Sequence, residues 1–278
     1  LTLPHSRTYP PTAKNSQILY NDACVSPAVR EPMRETKAII ERVSRLNEHY
    51  QRLHLAVEDY LNDLKPGQTV LARLSDRWDP YLREQWWPVE VAPNRLVVER
   101  PGSHRYEPGQ SVNLLGAVGQ PYRYRRTLRN VLLLADDAAP TPLIMSVGWL
   151  VSNHISVTLV LAGKAALYPT QYLPPEVEVL HADENLSWPN RVMTVGWADQ
   201  VFVVVGAGDE LGRFARIWSL FSELRAEIPK SYLFGVFQPV QPCGIGACQA
   251  CMLPLHGSDS TLICTQGPAV DLATVHFS

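Results

Sequence analysis

No apolar run in this chain approaches the roughly 20 residues that span a bilayer, so no helical membrane span is expected. No sign of charge prevails either. Lys and Arg number 25 against 27 Asp and Glu, a formal net charge of -2. Such a balance gives no global field for nucleic acid or an anionic membrane surface. Cysteine is sparse, five in 278 residues. Four of the five fall between positions 243 and 264, unlike a disulfide framework spread over a secreted fold. The opening stretch LTLPHSRTYPPTAKNSQ lacks a charged-then-apolar leader pattern. Together these absences point to a cytoplasmic chain. No Ser/His/Asp set or carboxylate pair suggests hydrolysis, and His154, His181 and His256 are scattered without ligand spacing. Composition is globular, 46% hydrophobic and 19% charged, and the length suits two domains of ordinary size.

Four regions are expected. Residues 1–34 are proline-rich, polar and aperiodic, an extended arm or a disordered tail, with Cys24 a plain thiol. Residues 35–122 hold short β-branched runs, TKAIIERVSRL, HYQRLHLAV, GQTVLARL, WPVEVAP, NRLVVER and QSVNLLG, punctuated by Gly, Pro, Asn and Asp. Six such strands predict a small antiparallel barrel. In residues 123–232 the runs become continuously apolar (NVLLLAD, SVTLVLAG, QVFVVVGAG) and alternate with helical stretches. ELGRFARIWSLFSELRAEI carries Leu211, Phe214, Ile217, Trp218, Phe221 and Leu224 on one face. That order predicts a Rossmann-like open parallel α/β sheet. Residues 233–278 hold the four clustered cysteines.

Their spacing is Cys243-x4-Cys248-x2-Cys251-x12-Cys264. A C-x4-C-x2-C run with a distant fourth cysteine is the plant-type pattern for a [2Fe-2S] cluster. Three thiolates must reach a bulky cluster from one loop, and Gly244, Gly246 and Ala247 keep side chains off it while backbone N–H groups face the sulfurs. Cys264 arrives on the second arm of a hairpin made by CMLPL and STLICTQ. Structural zinc more often pairs two C-x2–4-C knuckles, and here one half has a single cysteine. Two disulfides would need no glycine-lined loop. An iron–sulfur centre implies one-electron transfer.

The order of parts, with CGIGACQAC and CTQGP at its end, resembles the electron-transfer subunit of the two-subunit dihydroorotate dehydrogenases, in the ferredoxin–NADP reductase superfamily. Cys243, Cys248, Cys251, Cys264, Gly267 and Pro268 match its cluster signature. The resemblance covers roughly residues 37–275. It implies FAD in the crevice between barrel and α/β domain, a cluster beside a partner subunit, and electrons passing between them. It also locates departures. The family's flavin motif, Arg-x-(aromatic or aliphatic)-Ser, falls on Glu84, Gln85, Trp86 and Trp87, placing a carboxylate where phosphates would lie. Arg83 could substitute by a one-residue slip, and Trp86 could stack on a flavin. Alternatively Trp86 and Trp87 fill the barrel wall and the crevice themselves. Gly102 and Ser103 stand loosely for the family's second phosphate contact. The nicotinamide-binding glycine loop is LLLADDAAPTPLIM here, glycine-free with Asp136 and Asp137 in it, so NAD(P) is not expected. GAGDELG at 206–212 imitates a phosphate loop, but its acids suit a bare helix N-terminus.

The resulting expectation is a [2Fe-2S] electron-transfer protein relaying to or from a protein redox partner in a hetero-oligomer. Its NAD(P) site would be degenerate and its FAD site open. One alternative is a complete FAD- and [2Fe-2S]-containing NAD(P)H-linked reductase subunit. Another is a structural subunit of a larger redox complex.

Overall fold

The computed structural model describes residues 33–74 and 81–277. The arm and Cys24 lie outside the described residues. Seven antiparallel strands come first: β1 (Arg34–Arg45), β2 (Tyr50–Ala56), β3 (Thr69–Leu74), β4 (Glu84–Trp86), β5 (Pro88–Ala92), β6 (Arg95–Pro101) and β7 (Ser111–Val118). Their order, β4-β3-β7-β1-β2-β6-β5, makes a nearly closed barrel. Alternation explains its core: Ala38, Ile40, Leu53, Leu55, Val70, Ala72, Leu96, Val98, Val112 and Leu114 all point inward, one residue in two along each strand. The sequence pattern predicts six strands. The seventh, β4, is only three residues long, too short to show a period, and it pairs with β3 through Val70, Leu71 and Ala72.

The second layer system is built on β8 (Asn130–Asp136), α1 (Thr141–Ser152), β9 (Ser156–Ala162), β10 (Glu178–Ala182), α2 (Arg191–Trp197), β11 (Gln200–Val205), α3 (Glu210–Leu224) and β12 (Leu233–Val236). A hairpin of β13 (Met252–Pro254) and β14 (Ser260–Leu262), the short helix α4 (Ile263–Gln266) and β15 (Ala269–Asp271) complete the chain. The sheet order is β10-β9-β8-β11-β12-β15. All its pairs are parallel except β12 with β15. Burial on both faces accounts for the continuous apolar runs: every residue of β11 is buried. The α3 stripe is as expected, with Phe214, Ile217 and Phe221 fully inside and Leu211, Trp218 and Leu224 at its margin. Asp209 caps α3 by accepting from the Gly212 N–H at 3.1 Å, the bare-terminus role its position suggests.

Three elements were not legible in the sequence. Helix α2 has seven residues and no apolar stripe. Leu233–Val236 and Ala269–Asp271 join the parallel sheet although they sit in the cysteine-bearing stretch, because β12 is fully buried beside β11. The turn after β7 links barrel and C-terminal segment. Gly119 N–H donates to Cys264 O at 3.1 Å, Gln120 N–H to Gly267 O at 2.6 Å, and the Gln120 side-chain amide to Thr265 O at 2.8 Å.

Candidate iron–sulfur centre

The loop from Pro242 to Cys251 runs over the end of the barrel before β13 begins. Gly244 and Gly246 hold φ of 68° and 83°, conformations that side chains with a Cβ rarely adopt. Space is equally tight there. A Cβ on Gly244 would meet Leu71 Cδ1 at 3.0 Å and Met33 Cε at 3.1 Å, and one on Gly246 would meet Leu262 and Thr265 at 3.1 Å. The loop therefore lies directly on β3 and the start of the chain's described part, and its glycines are required by that approach.

The four thiols fall into two pairs. Cys248 N–H donates to Cys243 Sγ at 3.5 Å, and Cys264 N–H donates to Cys251 Sγ at 3.4 Å. The hairpin explains the second pair. Cys251 immediately precedes β13, Cys264 follows β14, and Met252 pairs with Leu262 between them. The Ile263 N–H to Cys251 O bond closes the base. The pairs differ in exposure, with Cys251 and Cys264 buried, Cys243 half-buried and Cys248 exposed. Among the described residues no three His, Cys, Asp or Glu side chains converge on a single-ion position. Two adjacent two-thiol sets suit a binuclear cluster, in which each iron takes two thiolates, better than one tetrahedral zinc.

The thiols also differ in acidity. Burial acts to raise Cys243, but N–H groups of Cys248, Ile245 and Ala247 and the Cys248 thiol face its sulfur and lower it to about 6. Burial pushes Cys264 up to about 12, reinforced by its hydrogen bond to Cys251 and by the negative charge of Cys251. A bound cation reverses such burial penalties by favouring the thiolate. Ile245, Met252 and Val240, in or beside the loop, are each more than half exposed.

The flavin candidates do not gather as one site. Trp86 is 2% exposed and lies in the barrel core. Its ring NH donates to Glu84 at 3.3 Å, and Arg100 lies 5.0 Å over its ring. Trp87 points the other way, into a cluster with Tyr50 of β2, Tyr122 after β7, and Leu143 and Val147 of α1. Arg83 is held on the barrel surface by Asn113 Oδ1 at 3.0 Å and Glu35 at 2.9 Å. Gly102 serves the β1–β2 turn: its N–H bonds His49 O at 2.7 Å, and a Cβ would sit 2.2 Å from Glu48 O. Ser103 lines a cleft of about 450 Å³ with Glu84, Trp86, Arg105 and Tyr106. The structure thus brings together Trp86 and Ser103, but neither Arg83 nor Gly102 lines that cleft. Glu84 is not an isolated carboxylate, because Arg100 from β6 pairs with it. That partner was not predicted, since it comes from a different strand 16 residues on.

The loop after β8 is folded down onto the sheet. Asp137 adopts φ 54° and donates its N–H to Ala162 O at 3.0 Å. Its carbonyl faces Gly206, where a Cβ would lie 2.7 Å away, and its carboxylate pairs with Arg213 of α3 at 3.1 Å. This is the point between β8 and β11 where the strand order reverses, the usual ligand crevice of such sheets.

Residues 242–276 match the family model of the iron–sulfur cluster binding domain of dihydroorotate dehydrogenase B. No curated protein sequence matches the chain. A structure of an NADH-dependent reduced ferredoxin–NADP oxidoreductase, determined in work on flavin-based electron bifurcation, superposes with a TM-score of 0.66 at 15% identity, over 86% of this chain and 90% of that one. The ferredoxin reductase of carbazole 1,9a-dioxygenase gives 0.54 at 14% identity, over 74% and 70%. A cytochrome P450 reductase from Amycolatopsis gives 0.52 at 15%, over 70% and 68%. A ferredoxin-reductase-like body carrying this domain defines the class: an iron–sulfur electron-transfer protein. Within it, the chain resembles the iron–sulfur electron-transfer subunit of dihydroorotate dehydrogenase.

Proposed function

We propose that this chain is a relay whose one resident redox centre is a [2Fe-2S] cluster, held by Cys243 and Cys248 on one iron and by Cys251 and Cys264 on the other. The observation that carries this is the pairing of the four thiols, each pair with a backbone N–H on sulfur. When bound, the cluster supplies one-electron transfer. The chain's own groups hold and tune it. N–H donation to sulfur stabilises the more negative reduced state and raises the potential, while the glycines keep side chains off the metal. Exposed Ile245, Met252 and Val240 form an apolar rim that suits docking of a protein redox partner, giving a hetero-oligomer in the cytoplasm. Among the described residues no helix is long and apolar enough to cross a membrane.

The body is read as a scaffold. Asp137 fills the switch-point crevice, so NAD(P) has no place for its pyrophosphate, and Trp87 fills the joint where the resemblance puts a flavin ring. The second reading, an FAD-containing reductase subunit, is favoured by one observation: the cleft at Ser103 and Arg105 survives, and Arg100 neutralises Glu84. Anaerobic purification with iron, sulfide and flavin assays decides between them. The relay reading expects iron and acid-labile sulfide in equal amounts, no flavin, and a spectrum unchanged by NADH. Bound FAD that NADH bleaches would overturn it, and zinc without sulfide would remove the cluster as well.

A further inference from the structure

Successive residues of β6 face opposite ways. Arg100 turns toward the barrel cleft, and Glu99 turns toward the α/β body. The Glu99 side chain is completely buried. Its Oε1 accepts from Arg52 Nε at 3.0 Å, Arg52 Nη2 at 2.9 Å and the Tyr168 hydroxyl at 2.9 Å. Its Oε2 accepts from Thr141 Oγ1 at 3.1 Å. Three separate elements thus aim four donors at one carboxylate: β2, the first residue of α1, and the segment after β9. Tyr168 and Thr141 are themselves buried, and Tyr50 packs edge-on against Tyr168 at 5.2 Å.

Without the Glu99 carboxylate, this joint would contain one guanidinium and two hydroxyls beside a helix N-terminus. That is the donor set of an oxyanion site. We infer that the joint is an oxyanion-binding pocket that the chain fills from within: Glu99 is the bound anion, and Arg52, Thr141 and Tyr168 are its receptor. The ligand class it would take, were Glu99 absent, is a small oxyanion such as formate or inorganic phosphate. In the native chain the same contacts weld barrel to α/β body and deny that place to any external phosphate. The inference deepens the relay reading, on which its functional meaning rests, but its test does not involve the cluster.

The test is chemical rescue of the full cluster-bearing protein followed by thermal unfolding. Glu99→Ala leaves a half-buried guanidinium and two buried hydroxyls unpaired and should lower Tm by about 10 °C. Sodium formate or phosphate at about 50 mM should restore at least half of that loss, rising with the logarithm of concentration, while chloride at matched ionic strength does not. The wild type should move by less than about 1 °C in the same buffers. The double variant Glu99→Ala with Arg52→Met should show no rescue. If Glu99→Ala does not fold in chloride, recovery of soluble protein in formate replaces Tm; equal recovery in both, none included, overturns the inference. Glu99→Gln keeps the shape, fills the space and removes the charge, so it should be destabilised and deaf to formate. A Gln variant as stable as wild type, or an Ala variant indifferent to formate and phosphate, also overturns it.

Discussion

The cysteine loop and the joint between barrel and α/β body are opposite cases of polar groups gathered in one place. In the loop, backbone N–H groups converge on the sulfurs of free thiols. In the joint, every donor already has a carboxylate belonging to the chain. Likewise, Asp137 is bound to Arg213 and pressed onto Gly206. A site built for a ligand leaves valences open, whereas a retired or purely structural one closes them internally. This contrast favours a chain whose electron-transfer capacity is concentrated in its last 40 or so residues.

The largest effect that sharpens the contrast is expected at the cluster. Cys264→Ala should abolish the visible absorption of the purified protein and its iron content, since it removes a buried ligand from the hairpin side. Retained colour and iron would exclude Cys264 from the ligand set. Next comes the joint. Trp87→Ala should cost about 3–5 kcal/mol in a denaturant titration, because it empties a packed aromatic site, while iron per folded chain stays constant. A cost under about 1 kcal/mol would mean that Trp87 is not the filler. Gly102→Ala should destabilise the barrel by about 1–3 kcal/mol, since the added methyl meets the Glu48 carbonyl and the turn must shift. A neutral effect would break the claim that Gly102 is there for the turn. The smallest effect is electrostatic. Burial raises the Asp136 carboxyl above its ordinary value, against Arg216 and Arg213 and with help from Asp137. A carboxyl raised in the fold contributes stability that is full below its unfolded value near 4 and is lost as pH rises through the folded value. Asp136→Asn should therefore be slightly more stable than wild type at neutral pH and equal to it near pH 3, where the carboxyl is protonated in both states. A gain that persists unchanged at about pH 3 would rule out titration as its cause.

What could be read from the sequence depends on how local each constraint is. The cysteine spacing is visible because three thiols are carried by nine consecutive residues and the fourth by the hairpin's far arm. The barrel shows itself through period-two burial, and the parallel sheet through unbroken apolar runs. β4 and α2 are too short for either signal. The partners of Glu99 and Glu84 stayed hidden for another reason. Glu99 meets Arg52 across 47 positions, Thr141 across 42 and Tyr168 across 69, and nothing near Glu99 in the chain marks it. Glu84 looked like a repulsive charge because its partner Arg100 lies on a non-neighbouring stretch of the sequence. Local composition exposes a site that waits for a ligand, but a site satisfied by its own chain is written only in tertiary contacts.

The bonds from Gly119 and Gln120 to Cys264, Thr265 and Gly267 also couple two distant parts of the sequence. Cys243, Cys248, Cys251 and Cys264 all follow the seven barrel strands in the chain. The arm bearing Cys264 finds its anchoring partners 145 residues earlier in the chain. The path of the backbone at Cys264 is thereby tied to the shape of the barrel's last turn.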